Sequence, residues 1–290
     1  MGSFRLRDDP ASQQFRSCSV TDLLICHRGD AETSDRGNVA GGFLSACGPL
    51  CYRRCVHPVP DTRLRIAETF YSLQGEGGLV GVPSFFIRTT GCNLRCEWCD
   101  SPYTSWQPEG EWWTIEGLVA AVPAPVRHVV VTGGEPMLWP SLPLLTAALR
   151  QRGRHVTIET AGTLYQALEC DLMSISPKLA NSDPGFHRAA AVRAEHSARR
   201  IDAAALGRLL TAYRCQLKFV LAQPEDLGEV EALLASLPAV DPSGVFLMPL
   251  GTRPEELAAR ARWLAELCKE RGYRFAPRLH IDLYGDKRGT

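Results

Sequence analysis

The chain has 290 residues, in which 32 lysines and arginines balance 32 aspartates and glutamates. This neutral balance excludes the strong positive field of a typical nucleic-acid-binding protein and the acidic excess of a disordered one, so we expect a small-molecule partner and no nucleic acid. The 11 cysteines, an odd number, favour metal ligands, reactive thiols or packing residues over a disulfide framework.

The sequence also bears on where the protein works. No apolar run approaches the roughly 20 residues that span a bilayer, and the N-terminus MGSFRLRDDPASQQF lacks the basic and then apolar pattern of a secretory signal. We therefore expect a cytoplasmic protein without a membrane partner.

The first part of the chain differs from the rest. Residues 1–62 carry no sustained hydrophobic period, contain GDAETSDRGNVAGG and end in VHPVPDT. This composition predicts a poorly ordered N-terminal extension, followed by one core domain over residues 63–290. Cys47, Cys51 and Cys55 lie in the extension with His57 nearby, and we assign them no role because no helix or strand pattern surrounds them.

Regular elements begin at Leu64. Strand-like apolar segments follow in the order LRIAETFYSL, SFFIRTTG, HVVVTGG, HVTIETAG, LMSISPK, CQLKFVLA, VFLMPL and RFAPRLHIDLYG. Helical patterns lie between them at residues 114–121, 141–152, 203–213, 225–236 and 254–271.

This alternation predicts an α/β fold with a mostly parallel sheet, in which loops at the carboxyl ends of the strands carry the functional groups. A complete (β/α)₈ barrel needs about 250 residues, so we expect a partial or distorted TIM-like barrel.

A cysteine-rich loop follows the second predicted strand. The sequence GCNLRCEWCDS begins at Gly91 and contains Cys92, Cys96 and Cys99. Three thiolates can hold three corners of an iron-sulfur cubane and leave the fourth iron open to another ligand. The alternative from spacing alone is a structural zinc site with a distant fourth ligand such as His128 or Cys170.

A glycine motif follows the third predicted strand, in VVVTGGEPML. Its glycines let the backbone approach a ligand closely, and Glu135 can accept hydrogen bonds from an ammonium group. The order of the C-x3-C-x2-C and GGEP motifs, each after a strand, resembles the radical S-adenosylmethionine (SAM) superfamily. The resemblance implies a [4Fe-4S] cluster, SAM bound at the open iron, an electron donor such as flavodoxin or ferredoxin, and radical chemistry on a substrate.

Longer stretches resemble one family within that superfamily. ETFYSLQGEGGLVGVPSFFIRTTGCNLRCEWCDSPYTSW, ISPKLANS from Ile175, and the tail RLHIDLYGDKRG are similar to the 7-carboxy-7-deazaguanine synthases of 7-deazapurine and queuosine biosynthesis, over about residues 64–289. The resemblance implies a homodimeric carbon-nitrogen lyase with Mg²⁺ as a further cofactor. Its reaction converts 6-carboxy-5,6,7,8-tetrahydropterin to 7-carboxy-7-deazaguanine and releases ammonia.

The resemblance also assigns site residues. It implies cluster ligation by Cys92, Cys96 and Cys99, SAM binding by Gly133, Gly134, Glu135, Ser176, Pro177 and Lys178, substrate binding by Leu73, Gln74, Gly75, Glu76, Arg88 and Thr132, and Mg²⁺ binding by Ser101.

The chemistry of these residues suits those roles. The planar fork of an arginine binds a carboxylate bidentately, and magnesium accepts a few protein oxygens beside water. Simpler explanations stay open: SLQGEG as a hairpin turn, Arg88 as a surface arginine, Ser101 as a turn residue and Lys178 as a solvated charge. Glu159 and Thr160 either meet SAM or cap a helix, and His280 on a strand is expected to be a packed side chain.

Two rival functions remain at this point. A radical SAM activase that acts on a protein partner would lack pterin selectivity. A non-catalytic iron-sulfur or zinc protein would form no deoxyadenosine from SAM.

Overall fold

The computed structural model of the chain describes residues 62–290. The strands are β1 Arg63–Leu73, β2 Pro83–Thr89, β3 Glu111–Thr114, β4 His128–Gly133, β5 His155–Thr160, β6 Leu172–Ile175, β7 Cys215–Leu221, β8 Val245–Pro249 and β9 Arg274–Phe275. The helices are α1 Pro102–Ser105, α2 Ile115–Ala121, α3 Leu142–Gln151, α4 Ala190–Arg199, α5 Ala203–Ala212, α6 Asp226–Ser236, α7 Pro254–Arg271 and α8 Leu279–Tyr284. Apart from Thr62, the predicted extension, with Cys47, Cys51 and Cys55, lies outside the described residues.

These strands form one mixed sheet in the order β3-β1-β2-β4-β5-β6-β7-β8-β9. β1 is antiparallel to both β2 and β3, and the six remaining pairs, from β2–β4 to β8–β9, are parallel. The sheet is open, with β3 at one edge and β9 at the other. The predicted α/β fold with a mostly parallel, partial TIM-like barrel is therefore confirmed.

The parallel strands form because both faces of the sheet are covered. Val129, Val130 and Val131 of β4 are all buried, as is every residue of β8. Strands of this kind appear in a sequence as continuous apolar runs, without the alternation of a half-exposed strand. The core is formed by these side chains and the apolar faces of the outer helices, with Phe219 of β7 as its largest fully buried member.

The longest helix, α7, ends where the sequence predicts. Gly272 follows it in the left-handed conformation, with φ of 69°, and Tyr273 N donates to Cys268 O at 2.9 Å. Glycine adopts this conformation without the steric cost that a Cβ atom brings, so it caps the helix. Within residues 62–290, no helix combines the length and the apolarity needed to cross a bilayer.

The end of the chain differs from the prediction. The segment RFAPRLHIDLYG was expected to be a strand, but only Arg274–Phe275 pair with β8 and the helix α8 follows. Pro277 cannot donate a hydrogen bond to a strand ladder, so pairing stops before it. His280 consequently lies on a helix, and its predicted place on a strand is wrong.

Three shorter elements, α1, β3 and α4, were not predicted. α4 is the most consequential, and its sequence AAVRAEHSAR explains the miss. Alanine favours a helix, but a helix is recognised in a sequence by an apolar stripe, and here His196 is the one buried residue.

Candidate active site

A cavity of about 500 Å³ lies at the carboxyl ends of the parallel strands. The predicted site residues that line it are Leu73, Gln74, Gly75, Glu76, Arg88, Cys92, Cys96, Cys99, Ser101, Thr132, Gly133, Gly134, Ser176 and Lys178. Parallel strands present all of their following loops at one edge of the sheet, which is why residues distant in sequence meet here.

The cysteine loop, residues 90–101, connects β2 to α1 and brings its three thiols to one wall of the cavity. Cys96 packs with Leu94 and Ala161, and Cys92 and Cys99 lie against the same small apolar group. Leu94 N donates to Cys92 Sγ at 3.3 Å, and Cys99 Sγ lies 3.3 Å from Ser105 Oγ. Three thiols that share a partly apolar wall fit the three-corner ligation of an iron-sulfur cluster.

Burial keeps two of the thiols, Cys92 and Cys96, protonated in the metal-free protein. It raises the pKa of Cys92 to about 12 and that of Cys96 to about 11. The Lys178 ammonium opposes this effect at Cys96, whereas the nearby Glu135 carboxylate adds to it at Cys92. Thiols of this kind become good ligands when a metal displaces their protons.

The fold disfavours the alternative of a structural zinc site with His128 or Cys170 as the fourth ligand. His128 begins β4 and pairs with Ser84, whereas the cysteine loop begins after Thr89 at the other end of β2. At about 3.3 Å per residue, this places His128 roughly 17 Å from the start of the loop. Cys170 precedes β6 and so lies at the same far edge of the sheet. Among residues 62–290, no group of three histidine, cysteine or acidic side chains is arranged to hold a single metal ion.

The two glycines of the GGEP motif pack directly on the cysteine loop. A Cβ atom on Gly133, which has φ of 132°, would lie 2.1 Å from Thr89 O, and one on Gly134 would lie 2.1 Å from Gly91 O. The backbones are joined as well, since Gly134 N donates to Thr89 O at 3.1 Å and Glu135 N to Gly91 O at 2.9 Å. Only glycine fits this close approach, which holds the two loops in register.

Glu135 and Pro177 are the predicted SAM-binding residues that do not line the cavity. Glu135 is fully buried, and its carboxylate accepts hydrogen bonds from Met137 N, Thr160 Oγ1 and Ala161 N at 2.8 to 3.0 Å. The contact between this side chain and a ligand ammonium group stays a prediction. In the structure, Glu135 connects the loops that follow β4 and β5.

Ser176 and Lys178, in the loop that follows β6, do line the cavity. Lys178 Nζ donates to Ser176 Oγ at 2.9 Å and lies 5.6 Å from the centre of the Trp98 ring. The lysine is thus held beside the cysteine loop by a hydroxyl and an aromatic face. This arrangement disfavours the simpler explanation of Lys178 as a solvated loop charge.

Polar side chains of β4, β5 and the residue after β1 form a hydrogen-bonded chain along the cavity, which we call the polar wall. Gln74 Nε2 donates to Glu159 Oε1 at 3.1 Å, and Thr132 Oγ1 donates to Glu159 Oε2 at 2.8 Å. Gln74 Oε1 accepts from Glu76 N at 3.1 Å, which fixes the amide orientation. SLQGEG does lie in the connection between the antiparallel strands β1 and β2, but this connection runs over residues 74–82 and is too long for a tight hairpin turn. Its residues Gln74, Gly75 and Glu76 line the cavity.

A network of ion pairs also lines the cavity. Glu76 pairs with Lys218, and its other oxygen lies 3.2 Å from Arg278 Nε. Arg278 also pairs with Asp100, the residue after the last cysteine of the loop. Lys218 and Arg278 are 5% and 6% exposed, so these charges are paired away from bulk water.

The network keeps its members charged. Burial alone would raise the pKa of Glu76, but Lys218, Arg278 and His280 hold it well below its usual range. For Lys218, burial would lower the pKa, and the carboxylates of Glu76 and Glu159 raise it above its ordinary value instead. Opposite charges at short range in a low-dielectric site favour the ionised forms of both partners.

The guanidinium group of Arg88 is fixed through its Nε, and its two terminal nitrogens are available to a ligand. Its Nε donates to Glu68 Oε1 at 2.7 Å, and Tyr103 Oη donates to the same carboxylate oxygen at 2.7 Å. Within the described part of the chain, the two terminal nitrogens of Arg88 make no hydrogen bond. They can therefore bind a carboxylate bidentately from a held position.

Ser101 lies beside Asp100 at the end of the cysteine loop. Its side chain is buried, and its Oγ lies 3.4 Å from Asp100 Oδ1. Ser101 O accepts from Thr104 N at 2.8 Å, so the residue also begins the short helix α1. The backbone carbonyl of Ser101 starts the turn into α1, and its hydroxyl oxygen can still bind a cation. The role of Ser101 in the turn is therefore compatible with a role as a metal ligand.

Sequence reasoning missed several lining residues, among them Phe70, Asp100, Lys218 and Arg278. One signal was present: Lys218 is a charged residue in the apolar run CQLKFVLA, and a lysine on a buried strand needs a partner. Asp100 and Arg278 gave no such signal, because each stands in a polar loop. Glu159 and His280, noted in the sequence without a firm role, also line the cavity.

Comparisons with known proteins agree with this site. The family profile described as the radical SAM superfamily matches residues 86–209. A 7-carboxy-7-deazaguanine synthase of Halobacterium salinarum is 46% identical over 234 residues, covering 77% of this chain and 91% of the relative. One from Rhodopirellula baltica is 43% identical over 232 residues, covering 79% and 90%. The crystal structure of QueE from Escherichia coli aligns with a TM-score of 0.56 and 28% identity, over 75% of this chain and 95% of that one.

These relatives match the chain over nearly their whole length, and the matched profile includes the cysteine loop, the glycine motif and the loop after β6. The chain therefore belongs to the 7-carboxy-7-deazaguanine synthases, a family of radical SAM enzymes in 7-deazapurine biosynthesis.

Proposed function

We propose that the cavity binds 6-carboxy-5,6,7,8-tetrahydropterin next to SAM, and that the chain converts it to 7-carboxy-7-deazaguanine with release of ammonia. The observation that carries this proposal is the convergence on one cavity of three thiols, a glycine turn and a wall of hydrogen-bonding side chains. The thiol side of the cavity suits an iron-sulfur cluster with SAM, and the polar wall suits the amide and amine edge of a pterin.

In this proposal, Cys92, Cys96 and Cys99 hold a [4Fe-4S] cluster, which supplies the electron for reductive cleavage of SAM. The backbone of Gly133 and Gly134 approaches the SAM methionine part, and Ser176 and Lys178 bind SAM from the adjoining loop. Glu135 and Pro177 support these loops from behind, consistent with their absence from the cavity lining.

On the polar wall, we assign Leu73, Gln74, Gly75, Glu76 and Thr132 to the pterin ring. The hydrogen-bonded chain through Glu159 supports this, because it presents oriented amide, hydroxyl and carboxylate groups. A site of oriented buried polar groups rejects a ligand that leaves them unpaired, so selectivity for a pterin is expected.

The substrate carboxylate is assigned to the terminal nitrogens of Arg88 and to a Mg²⁺ ion held by the Ser101 hydroxyl. Magnesium commonly keeps water ligands and shares a few protein oxygens with a bound substrate. The Asp100 carboxylate next to Ser101 supports a cation at this point, although Arg278 already neutralises part of its charge.

Turnover tests the function directly. Anaerobically reconstituted protein is incubated with reductant, SAM, Mg²⁺ and carboxytetrahydropterin, and the products are identified by mass spectrometry. We expect the ring-contracted product with ammonia. Deoxyadenosine without pterin turnover would favour a different radical SAM reaction, and no deoxyadenosine at all would favour a non-catalytic protein.

The Cys96→Ala variant tests the ligand assignment within the same experiment. It should lose the visible absorbance and most of the iron of the reconstituted protein, since a cubane held at two corners is not retained. Cys170→Ala, at the far edge of the sheet, is the matched control and should bind iron like the parent. Unchanged iron content in Cys96→Ala would overturn the assignment.

We also propose a homodimer and a flavodoxin or ferredoxin as electron donor, both on the strength of the family. Sedimentation of the purified protein tests the first. Turnover with each reduced donor in place of a chemical reductant tests the second, with the donor stripped of its flavin or its cluster as the control.

A further inference from the structure

A single segment braces the cysteine loop from outside the cavity. Arg95 N donates to His196 Nδ1 at 3.0 Å, Glu97 N donates to Ser182 O at 3.0 Å, and Trp98 Nε1 donates to Asn181 O at 2.8 Å. Two of these bonds hold the backbone on either side of Cys96. The residues that make these three bonds lie within 181–196, between β6 and α5, and Trp106 Nε1 also donates to Cys96 O at 3.0 Å.

His196 is built into this arrangement. It is 1% exposed, and its Nε2 lies 3.1 Å from Ser182 Oγ, which itself donates to Leu179 O at 2.6 Å. Because Nδ1 accepts from a backbone N–H, the ring proton belongs on Nε2, where Ser182 Oγ accepts it. Both ring nitrogens are therefore satisfied, and the ring has one orientation.

Helix α4, which carries His196, has no apolar face that would hold it against the core. His196 is the one buried residue of α4, and the remaining side chains of the helix are partly or fully exposed. The usual anchor of a surface helix is an apolar stripe, and here a single hydrogen-bonded imidazole takes its place. The burial of this ring thus serves the contact between α4 and the cysteine loop.

We propose that His196 is a positioning residue for the iron-sulfur cluster. Through the Arg95 amide, the imidazole fixes the backbone that carries Cys96, so the loop is in its ligating shape before the cluster binds. This inference rests on the proposed function only in taking Cys92, Cys96 and Cys99 as cluster ligands. The loop lacks regular secondary structure, so its buried amides depend on such outside acceptors.

The experiment compares His196→Leu with His196→Asn and with His155→Asn as the matched control. Leucine fills the space without an acceptor, whereas the asparagine oxygen can take the place of Nδ1. His155 is a partly buried histidine at the opposite edge of the sheet. Two readouts apply: amide hydrogen exchange of the peptide over residues 92–99 in the metal-free protein, and the anaerobic rate of iron loss from reconstituted protein to a chelator.

In His196→Leu we expect exchange in this peptide and iron loss to be faster by roughly tenfold, the factor that a lost buried hydrogen bond commonly brings. His196→Asn should restore most of the difference, and His155→Asn should match the parent in both readouts. Ser182→Ala, which removes the Nε2 partner and keeps the Arg95 acceptor, should show a smaller change in the same direction.

Exchange and iron loss within twofold of the parent in His196→Leu would overturn the proposal. Equal losses in His196→Leu and His196→Asn would do the same, because a merely structural role predicts no rescue. Should His196→Leu fail to fold, the Ser182→Ala and His196→Asn pair decides by the same readouts. Neither readout involves SAM or pterin, so failure of the proposed function would be seen separately, as iron that binds without turnover.

Discussion

At the scale of single residues, Arg88 shows how neighbouring side chains fix an arginine in position to bind a carboxylate. Arg88 Nε donates a hydrogen bond to the Glu68 carboxylate, and the guanidinium carbon of Arg88 lies 5.5 Å from the centre of the Phe70 ring. Glu68 in turn accepts from Tyr103 and from Arg288 Nε, the latter at 3.1 Å. An arginine fixed in this way loses little conformational entropy when it binds a carboxylate.

The Arg88→Ala variant should therefore bind carboxytetrahydropterin about 10- to 100-fold more weakly, in line with about 1.5–3 kcal/mol for hydrogen bonds between charged groups. Calorimetric titration of the reconstituted enzyme measures this, and SAM affinity in the same samples should not change. Arg208→Ala, on the outer helix α5, is the control. Unaltered pterin affinity in Arg88→Ala would remove the carboxylate clamp from the proposed site.

The Glu76 and Lys218 pair is a second matter of single residues. Both side chains are largely buried, at 15% and 7% exposed, so each depends on the other for its charge. Breaking one side of a buried pair leaves an uncompensated charge, which is more costly than removing both.

We expect Lys218→Met to lower the free energy of unfolding by about 3 kcal/mol, the lower end of the range for a broken buried pair, because Arg278 still faces Glu76. The double variant Glu76→Gln with Lys218→Met should lose less than the sum of the two single variants. Urea unfolding of the metal-free protein at neutral pH provides the four values. Strict additivity would mean that the two side chains are not coupled.

At the scale of elements, the loop after β1 and the helix α8 are packed as one unit. Leu279 N donates to Gly75 O at 3.0 Å, and a Cβ atom on Gly75 would lie 2.0 Å from His280 Nδ1. This loop lines the cavity and is covered by the helix α8. Any side chain at position 75 has to displace His280.

The Gly75→Ala variant should destabilise the protein by about 1–3 kcal/mol, as overpacking usually does, and should weaken pterin binding by shifting α8. Adding His280→Ala should restore stability, because it vacates the contact. Gly228→Ala in α6, where a Cβ atom meets nothing within 4 Å, should be neutral or stabilising. Thermal unfolding checks all three, and a Gly75→Ala protein as stable as the parent would contradict the tight packing.

At the scale of the whole molecule, the carboxyl ends and the amino ends of the parallel strands differ in the groups they carry. The cavity lies at the carboxyl ends of the strands, whereas at their amino ends the rings of His128 and His155, on neighbouring strands, lie with centres 4.6 Å apart and planes tilted by 35°. The Nδ1 atoms of both rings are buried and have no hydrogen-bond partner in the described part of the chain. Burial, with His128 and Arg214 nearby, lowers the pKa of His155 against the opposing effect of Asp171.

This shift makes stability depend on pH. The unfolded chain binds a proton at His155 more readily than the folded protein does, so stability is complete above about pH 6.5 and falls as the pH drops below it. The metal-free protein should unfold at lower urea concentration at pH 5.5 than at pH 7.5, and His155→Asn should reduce this difference. An equal pH dependence in His155→Asn would exclude this histidine as a source.

The sequence by itself determined the chemistry of this protein. The cysteine spacing, the glycine motif and the alternation of strands and helices are local patterns, because each depends on residues close together along the chain. They located the thiols and the glycine turn, but fewer than half of the residues that line the cavity. The fold class followed too, since continuous apolar runs separated by helices favour a parallel sheet.

Only the tertiary structure decided which polar groups act together. Lys218 meets Glu76 across 142 positions, and His196 meets Arg95 across 101, so neither contact leaves a trace in local spacing. The same is true of Glu135, whose place in the motif pointed to a ligand while the fold surrounds its carboxylate with protein donors. Such contacts depend on the order of the strands and the path of the loops, which the sum of many weak packing interactions sets and no short motif encodes.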